Sequence, residues 1–318
     1  MVAIETNQPT LVSTRLPVAR RRRRRQLQDK QYALLLMLPA AVVLAVLVGW
    51  PLVELVKDSL YSGGLLTGQH FAGLSNYRTA LSSGEVQASA GRTGLYALIV
   101  LPVELIAGFA MALLFKALGD RARVLRTVFI YPLLIAPLVA GLLWQFMLAA
   151  NYGILNQLLA SVGILHNDNS ILWLGDPTIA LLAVAIPDIW LTTSFVTLVL
   201  FAGLQALPSD VYEAAKIDGA GPWQTFYRIT VPLLRPVIAV VLVIRLVDAM
   251  SAFAVILIET QGGPQQASTT MGLEIYNTFI TYGNTGLAAA ISVLFMAAMM
   301  LIAFIALKTI WRPGGAAR

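Results

Sequence analysis

No cysteine occurs in the 318 residues, which excludes disulfides, thiolate nucleophiles and Cys-ligated metals together. Histidine is nearly as scarce: His70 and His166 are the only imidazoles, both in polar connecting stretches. Metalloenzyme and Ser-His chemistry therefore lack their usual groups, and neither a catalytic residue nor a metal ligand is expected. Charge is sparse, with Asp, Glu, Lys and Arg making up 12% of the chain against about a quarter in soluble domains. No G-x-x-x-x-G-K-[ST] phosphate loop occurs anywhere, so the chain cannot cradle ATP phosphates by that means. What fills the sequence instead is apolar: 58% of residues are hydrophobic and the mean hydropathy is +0.76. Such a chain belongs in a membrane, and at roughly 20 residues per span it has room for several helices and no large extramembrane domain.

Apolar runs long enough to cross the hydrocarbon layer fall at about 32–55, 94–115, 127–148, 178–203, 236–258 and 287–310. None alternates with period two, so helices are expected rather than a barrel. The expected fold is all-α and polytopic, with about six transmembrane helices in a membrane domain of residues 32–310. It is flanked by a basic tail at 1–31 and a short tail at 311–318. Pro39, Pro51, Pro102, Pro132, Pro137 and Pro187 lie in or near the spans and predict kinks there.

Six spans put both ends on one side, and the basic residues say which. That side carries Arg15, Arg20 to Arg25, Lys30, Lys116, Arg121, Arg123, Arg126, Lys216, Arg228, Arg235, Lys308, Arg312 and Arg318, whereas the opposite loops hold Lys57, Arg78 and Arg92. The positive-inside bias places both termini in the cytoplasm. The arginine run before the first span reads as an orientation signal touching anionic lipid headgroups. Nucleic acid is not an expected partner, because no folded basic module with aromatic platforms accompanies the run. The apolar stretch after it is too long for a signal peptide, so the first span is expected to stay.

The connection at 205–235 is the most structured in sequence. Ser209 or Asp210 can cap a helix, with Glu213 in capping-box position after Asp210. Gly219 supplies a stop, and Pro222 suits the first turn of a second helix. On that second helix Trp223, Phe226 and Tyr227 fall at i, i+3 and i+4 and share an apolar face. Periodicity leaves open whether this face packs on the chain's own spans or docks on a partner, with Glu213, Lys216, Asp218 and Arg228 as a polar rim.

Glu213-Ala214-Ala215, three residues, Gly219, nine residues, then Ile229-Thr230-Val231-Pro232 resembles the EAA signature of ABC importer permeases, with Val231 for leucine as its one departure. The resemblance implies coupling helices seated in a groove of a separate ATPase. Glu213, Ala214, Ala215 and Gly219 would contact that subunit, and Trp223, Ile229 and Pro232 belong to the same coupling segment. Phe71 to Tyr77, Arg126 to Pro132, Trp173 to Pro177 and Gly262-Gly263-Pro264 are similar to carbohydrate-type permeases, best to maltose, glycerol-phosphate and polyol importers. Phe253-Ala254 and Glu259-Thr260 stand where that family often has Phe-Asp and Leu-Thr.

Ionisable residues inside spans are rare and usually functional. In the fifth run, fourteen Leu, Ile, Val and Phe favour insertion by very roughly 4 to 8 kcal/mol, against about 5 to 7 kcal/mol opposing from Arg245 and Asp248. The near cancellation turns these two residues into the bundle or a watery path, and at i, i+3 they can pair. Glu104, two residues after Pro102, could bond backbone that the proline frees. Asp188 with Trp190, Thr192, Thr193 and Ser194, and Trp144, Gln145, Asn151 and Tyr152 at the external end of the third span, offer groups that bind hydroxyls and stack on sugar rings. Helix packing and interfacial anchoring would explain the same residues. The candidate translocation path is Glu104, Trp144, Gln145, Asn151, Asp188, Thr192, Arg245 and Asp248.

Together the residues and the resemblance imply a permease subunit that performs no chemistry on its cargo and needs no cofactor of its own. ATP and magnesium would sit on a partner ATPase dimer. A second homologous permease, an extracytoplasmic solute-binding protein and a carbohydrate or polyol complete the expected partners, in a bacterial cytoplasmic membrane. The alternative from another class is a self-contained ion-coupled secondary transporter, with Glu104, Asp188 and Asp248 as proton or sodium sites.

Overall fold

The computed structural model describes residues 32, 35–63, 68, 70–165 and 170–310. The arginine run, both chain ends and His166 lie outside the described residues. The chain divides into two units, Met1–Glu54 and Leu55–Arg318. In the first unit the described residues from Leu35 onward belong to α1 (Leu35–Ser59), an apolar helix that contains the boundary between the units. Its side chains up to Glu54 are almost all exposed, and one turn is π-helical, Ala45–Gly49.

In the second unit the end of α1 is followed by two antiparallel strands, β1 (Tyr61–Ser62) and β2 (His70–Phe71), and then by α2 (Ser75–Ser82). Asn76 ties these pieces together. Its Nδ2 donates to the carbonyls of Ser59 (2.9 Å) and Tyr61 (2.8 Å), and its Oδ1 accepts from Ser62 Oγ at 2.8 Å. The string Phe71 to Tyr77 is thus a small structural clasp.

The bundle proper contains α3 (Gly84–Leu118), α4 (Arg123–Ile130), α5 (Pro137–Met147), α6 (Ile154–Ser161) and α7 (Ala180–Gln205). It continues with α8 (Ser209–Ile217), α9 (Pro222–Thr225), α10 (Val231–Met250), α11 (Ala254–Glu259), α12 (Met271–Tyr276) and α13 (Thr285–Ile310). Among the described residues, five helical stretches are long and apolar enough to cross a membrane, and α5 is a sixth, shorter apolar helix.

Three boundaries depart from the hydropathy reading. The second run begins ten residues early, at Gly84, because the Ser83 side chain caps α3 by accepting from the Val86 amide. Arg92, assigned to a loop by sequence, therefore lies within α3 and donates to the Thr269 carbonyl at 3.2 Å. The single helix expected at 127–148 is broken: a 3-10 turn, Tyr131–Leu134, is followed by extended backbone at Ile135 and Ala136 before Pro137 opens α5. Proline disfavours helical backbone in the residue before it, which places the break at Ala136. The fifth run breaks at Ser251–Phe253, between α10 and α11.

The most extensive contact joins α3 to α7, and Gly108 makes it possible. A Cβ there would lie 2.6 Å from Val196 Cγ1 and 3.2 Å from the Thr197 amide nitrogen, so only hydrogen lets the backbones approach this closely. Of the three buried apolar clusters among the described residues, two flank the charged residues of the bundle. One contains Tyr96, Val100, Val184, Ala185, Ala249 and Ile256. The other contains Ala112, Phe115, Val196, Leu200, Leu234 and Val241. In sequence along α3, α7 and α10, Glu104, Asp188 and Arg245 fall between members of the two clusters.

Candidate functional site

Glu104, Asp188, Arg245 and Asp248, four candidates from three helices, meet in one network. Arg245 Nε donates to Glu104 Oε2 and Nη2 to Glu104 Oε1, both at 2.8 Å, a bidentate pair with both side chains almost fully buried. Nη1 donates to Asp248 Oδ2 at 2.7 Å, the i, i+3 pair expected from sequence. Nη2 also lies 3.6 Å from Asp188 Oδ2. Thr192 Oγ1 sits against Glu104 Oε1 and against its own helix's Asp188 carbonyl, the latter at 2.6 Å. Glu104 does not spend its carboxylate on backbone freed by Pro102; both oxygens go to neighbouring helices.

Removing ions from water is costly, and a buried pair persists only where geometry and added hydrogen bonds offset that cost. Here the bidentate fork and the Thr192 hydroxyl supply both. The network fixes α3, α7 and α10 against one another in register. It also borders a cavity of about 350 Å3 whose lining includes Tyr96, Asp188, Thr192, Arg245, Asp248, Ser251 and Phe253. The α10–α11 break and the 3-10 turn before α5 complete its wall. Both are irregular backbone inside apolar runs of the sequence, which is tolerated in a membrane where it is packed in protein or lines a cavity.

Sequence reasoning missed Tyr96, which is fully buried and donates from its hydroxyl to Asp188 Oδ2 at 3.0 Å. A tyrosine inside an apolar helix carries no flag until its partner's position is known. Glu259 was also missed as a candidate; it is 4% exposed, and neither carboxylate oxygen has a hydrogen-bond partner among the described residues.

The remaining path candidates sit apart from the network. Trp144 meets Trp190 edge to face, with ring centroids 6.0 Å apart. Gln145 Nε2 donates to the carbonyls of Ile258 (3.1 Å) and Glu259 (3.2 Å), stitching α5 to the end of α11. Asn151 is exposed in the turn after α5. The buried amide nearby is Asn156, which accepts from Trp173 Nε1 at 2.8 Å and so anchors the Trp173 to Pro177 string. Asp176 in that string accepts from the amide and hydroxyl of Thr178 (2.8 and 2.7 Å), which holds its carboxyl below the usual aspartate range.

Residues 205–235 form the second feature. Pro208 is the N-cap of α8, with extended backbone and no side-chain cap bond. Ser209 and Asp210 are therefore first-turn residues rather than caps, because the proline already sets the entry geometry. The other end closes as a Schellman turn: the Gly219 amide donates to Lys216 O (3.1 Å) and the Ala220 amide to Ala215 O (2.9 Å), with Gly219 at φ +76°. Pro222 opens α9 as expected. Yet α9 does not end as a separate short helix, for it passes through a π turn, Phe226–Thr230, into α10.

That π turn divides the aromatic face. Phe226 points inward and meets Phe109 of α3 edge to face at 5.2 Å, while Trp223 and Tyr227 stack on each other at 5.9 Å and stay exposed. Glu213, Ala214 and Gly219 are exposed, Ala215 is buried against this chain, and Ile229 and Pro232 are half-buried. Tyr212 fastens α8 to the bundle: its hydroxyl pairs with Thr230 Oγ1 at 3.1 Å, and Lys116 Nζ lies 4.3 Å from its ring centroid while donating to the Leu204 carbonyl. The hairpin is thus tied to the ends of α3 and α7 and is covalently continuous with α10. Those three helices hold the charge network.

Residues 104–312 match the family described as binding-protein-dependent transport system inner membrane component. The trehalose/maltose transport system permease protein MalF of Thermococcus litoralis is 34% identical over 282 residues, covering 88% of this chain and 94% of that protein. The sulfoquinovosyl glycerol transport system permease protein SmoG of Agrobacterium fabrum is 32% identical, covering 89% and 91%. A bacterial alginate ABC transporter, solved in complex with an alginate pentasaccharide-bound periplasmic protein, shares the fold with a TM-score of 0.76 at 20% identity, over 90% of this chain and 96% of that one. These matches displace the self-contained secondary-transporter alternative. The chain belongs to the binding-protein-dependent transport system inner membrane components, and it is a multi-pass permease subunit of an ABC transporter.

Proposed function

We propose that this subunit forms half of the translocation path of an importer for a carbohydrate or polyol, with the α8–α9 hairpin coupling it to a separate ATPase. The observation that carries this reading is the physical connection between hairpin and cavity. The hairpin is tied through Tyr212 and Lys116 to the ends of α3 and α7 and runs without interruption into α10, and the same three helices supply part of the cavity wall. A displacement of Glu213, Ala214 and Gly219 by a closing ATPase therefore tilts α10 relative to α3 and α7 and alters the cavity wall. ATP and magnesium act on the ATPase chains, a second homologous permease supplies the other half of the path, and an extracytoplasmic binding protein delivers cargo. Both termini face the cytoplasm, the side on which the basic residues gather, with residues 1–31 and 311–318 as tails.

Within the path, Asp188, Thr192 and Asp248 border the cavity, whereas Glu104 and Arg245 act chiefly by holding the helices in register. Trp144, Gln145 and Asn151 belong to the wall nearer the external end. Mild-detergent extraction of the tagged chain, followed by mass spectrometry of what co-purifies, tests the assembly. An ATPase and a second permease are expected; recovery of this chain alone, moving solute in liposomes without ATP, would overturn it.

A further inference from the structure

We infer that the cavity wall selects for neutral or cationic saccharides and against acidic ones, with Asp248 as the specificity-determining residue; the inference rests on reading the cavity as part of the path. Among the described residues, the only cation in its lining is Arg245, beside the carboxyls of Asp188 and Asp248, with Glu104 behind it. Every nitrogen of that guanidinium faces a carboxylate oxygen within the network, and its side chain is 3% exposed, whereas that of Asp248 is 67% exposed. Cargo in the cavity therefore meets the carboxylate and not the guanidinium.

The hydroxyl donors in the wall are also committed. Tyr96 donates to Asp188, Thr192 is held by Glu104 and the Asp188 carbonyl, and Ser251 donates to the Val247 carbonyl at 2.8 Å. Among the side chains, what remains available is acceptor oxygen. A saccharide hydroxyl is a donor and fits such a wall, and an ammonium group fits better. A cargo carboxylate brings acceptors and a like charge to a surface whose described side chains offer neither a free donor nor a free cation. Three carboxyls share one guanidinium, so the network stays net negative even with one of them protonated.

The absence of cysteine allows a direct test that needs no knowledge of the cargo. In the assembled importer in proteoliposomes, Ser251→Cys places one thiol of this chain on the cavity wall. Its modification rates are measured with methanethiosulfonates carrying either a quaternary ammonium or a sulfonate, each normalised to the rate with a free thiol. The normalised cation-to-anion ratio is expected to be about tenfold or more, the size of effect that a cleft lined by one sign of charge produces. It should fall at least about threefold in Ser251→Cys/Asp248→Asn and shrink as salt is raised from about 0.01 to 1 M. A ratio near one, or one indifferent to both Asp248→Asn and salt, overturns the inference.

The same rates taken with and without ATP separate this claim from the reading beneath it. Modification that responds to ATP supports the path. Modification indifferent to ATP, with the charge ratio intact, sinks the path reading and leaves the charge assignment standing. A thiol that neither reagent reaches contradicts both.

Discussion

The charge network among α3, α7 and α10 and the hairpin of α8 and α9 are both polar interruptions in an apolar chain, and they satisfy their polarity in opposite ways. In the network, Arg245 is buried and each of its nitrogens faces a carboxylate of its own chain. In the hairpin the backbone is closed by the Gly219 turn, while Glu213, Ala214, Trp223 and Tyr227 remain exposed. A region that completes itself holds the fold together; a region closed in backbone but open in side chains is built for something outside the chain. The two should therefore fail differently when damaged.

The largest expected effect is on the network. Arg245→Met leaves Glu104 buried without its partner, and breaking one side of a buried pair costs about 3–5 kcal/mol. Thermal unfolding of the purified complex should show that loss, with part of it recovered in Glu104→Gln/Arg245→Met. If the single substitution is neutral, the network does not hold the helices. Trp223→Ala in the hairpin should change stability by no more than about 0.5 kcal/mol, as exposed positions usually do, and yet weaken retention of the ATPase during co-purification. A large loss of stability with the ATPase fully retained would move Trp223 from the docking surface to the core.

The smallest expected effect is a pH dependence outside both regions. Burial, and secondarily Glu85, raise the Glu274 carboxyl above the ordinary glutamate range, with Arg92 opposing. The folded chain therefore holds that proton to higher pH than the unfolded chain does. Stability contributed by this group is present at low pH and falls as pH rises from the ordinary glutamate range through the raised value. Glu274→Gln should flatten that slope in unfolding measured against pH; an unchanged slope assigns it to other groups.

Sequence alone carried the hairpin far, because its signals are local: Gly219 and Pro222 act within a few residues. It also flagged Glu104, Asp188, Arg245 and Asp248, since charge within an apolar run stands out. What it could not supply was their pairing. Glu104 and Arg245 are 141 positions apart, and only the close α3–α7 contact at Gly108, with α10 packed beside it, brings the carboxylates to one guanidinium. Tyr96 was invisible for the same reason. The break at Ala136 was legible in principle from Pro137, but hydropathy averages over a window and passes across an extended pair of residues. The capping assignment at Ser209 and Asp210 failed because Pro208 one position earlier sets the same geometry through its own φ.

The proposed function depends on the hairpin transmitting ATPase closure to the cavity. The most direct test is the ratio of solute transported to ATP hydrolysed, measured in proteoliposomes for Gly219→Pro and Glu213→Lys beside the parent chain. Gly219 adopts φ +76°, which proline cannot, and Glu213 lies on the exposed face. Both variants should insert and assemble, with ATP hydrolysis persisting while transport falls at least about tenfold. Transport at the parental ratio in both would contradict the coupling account.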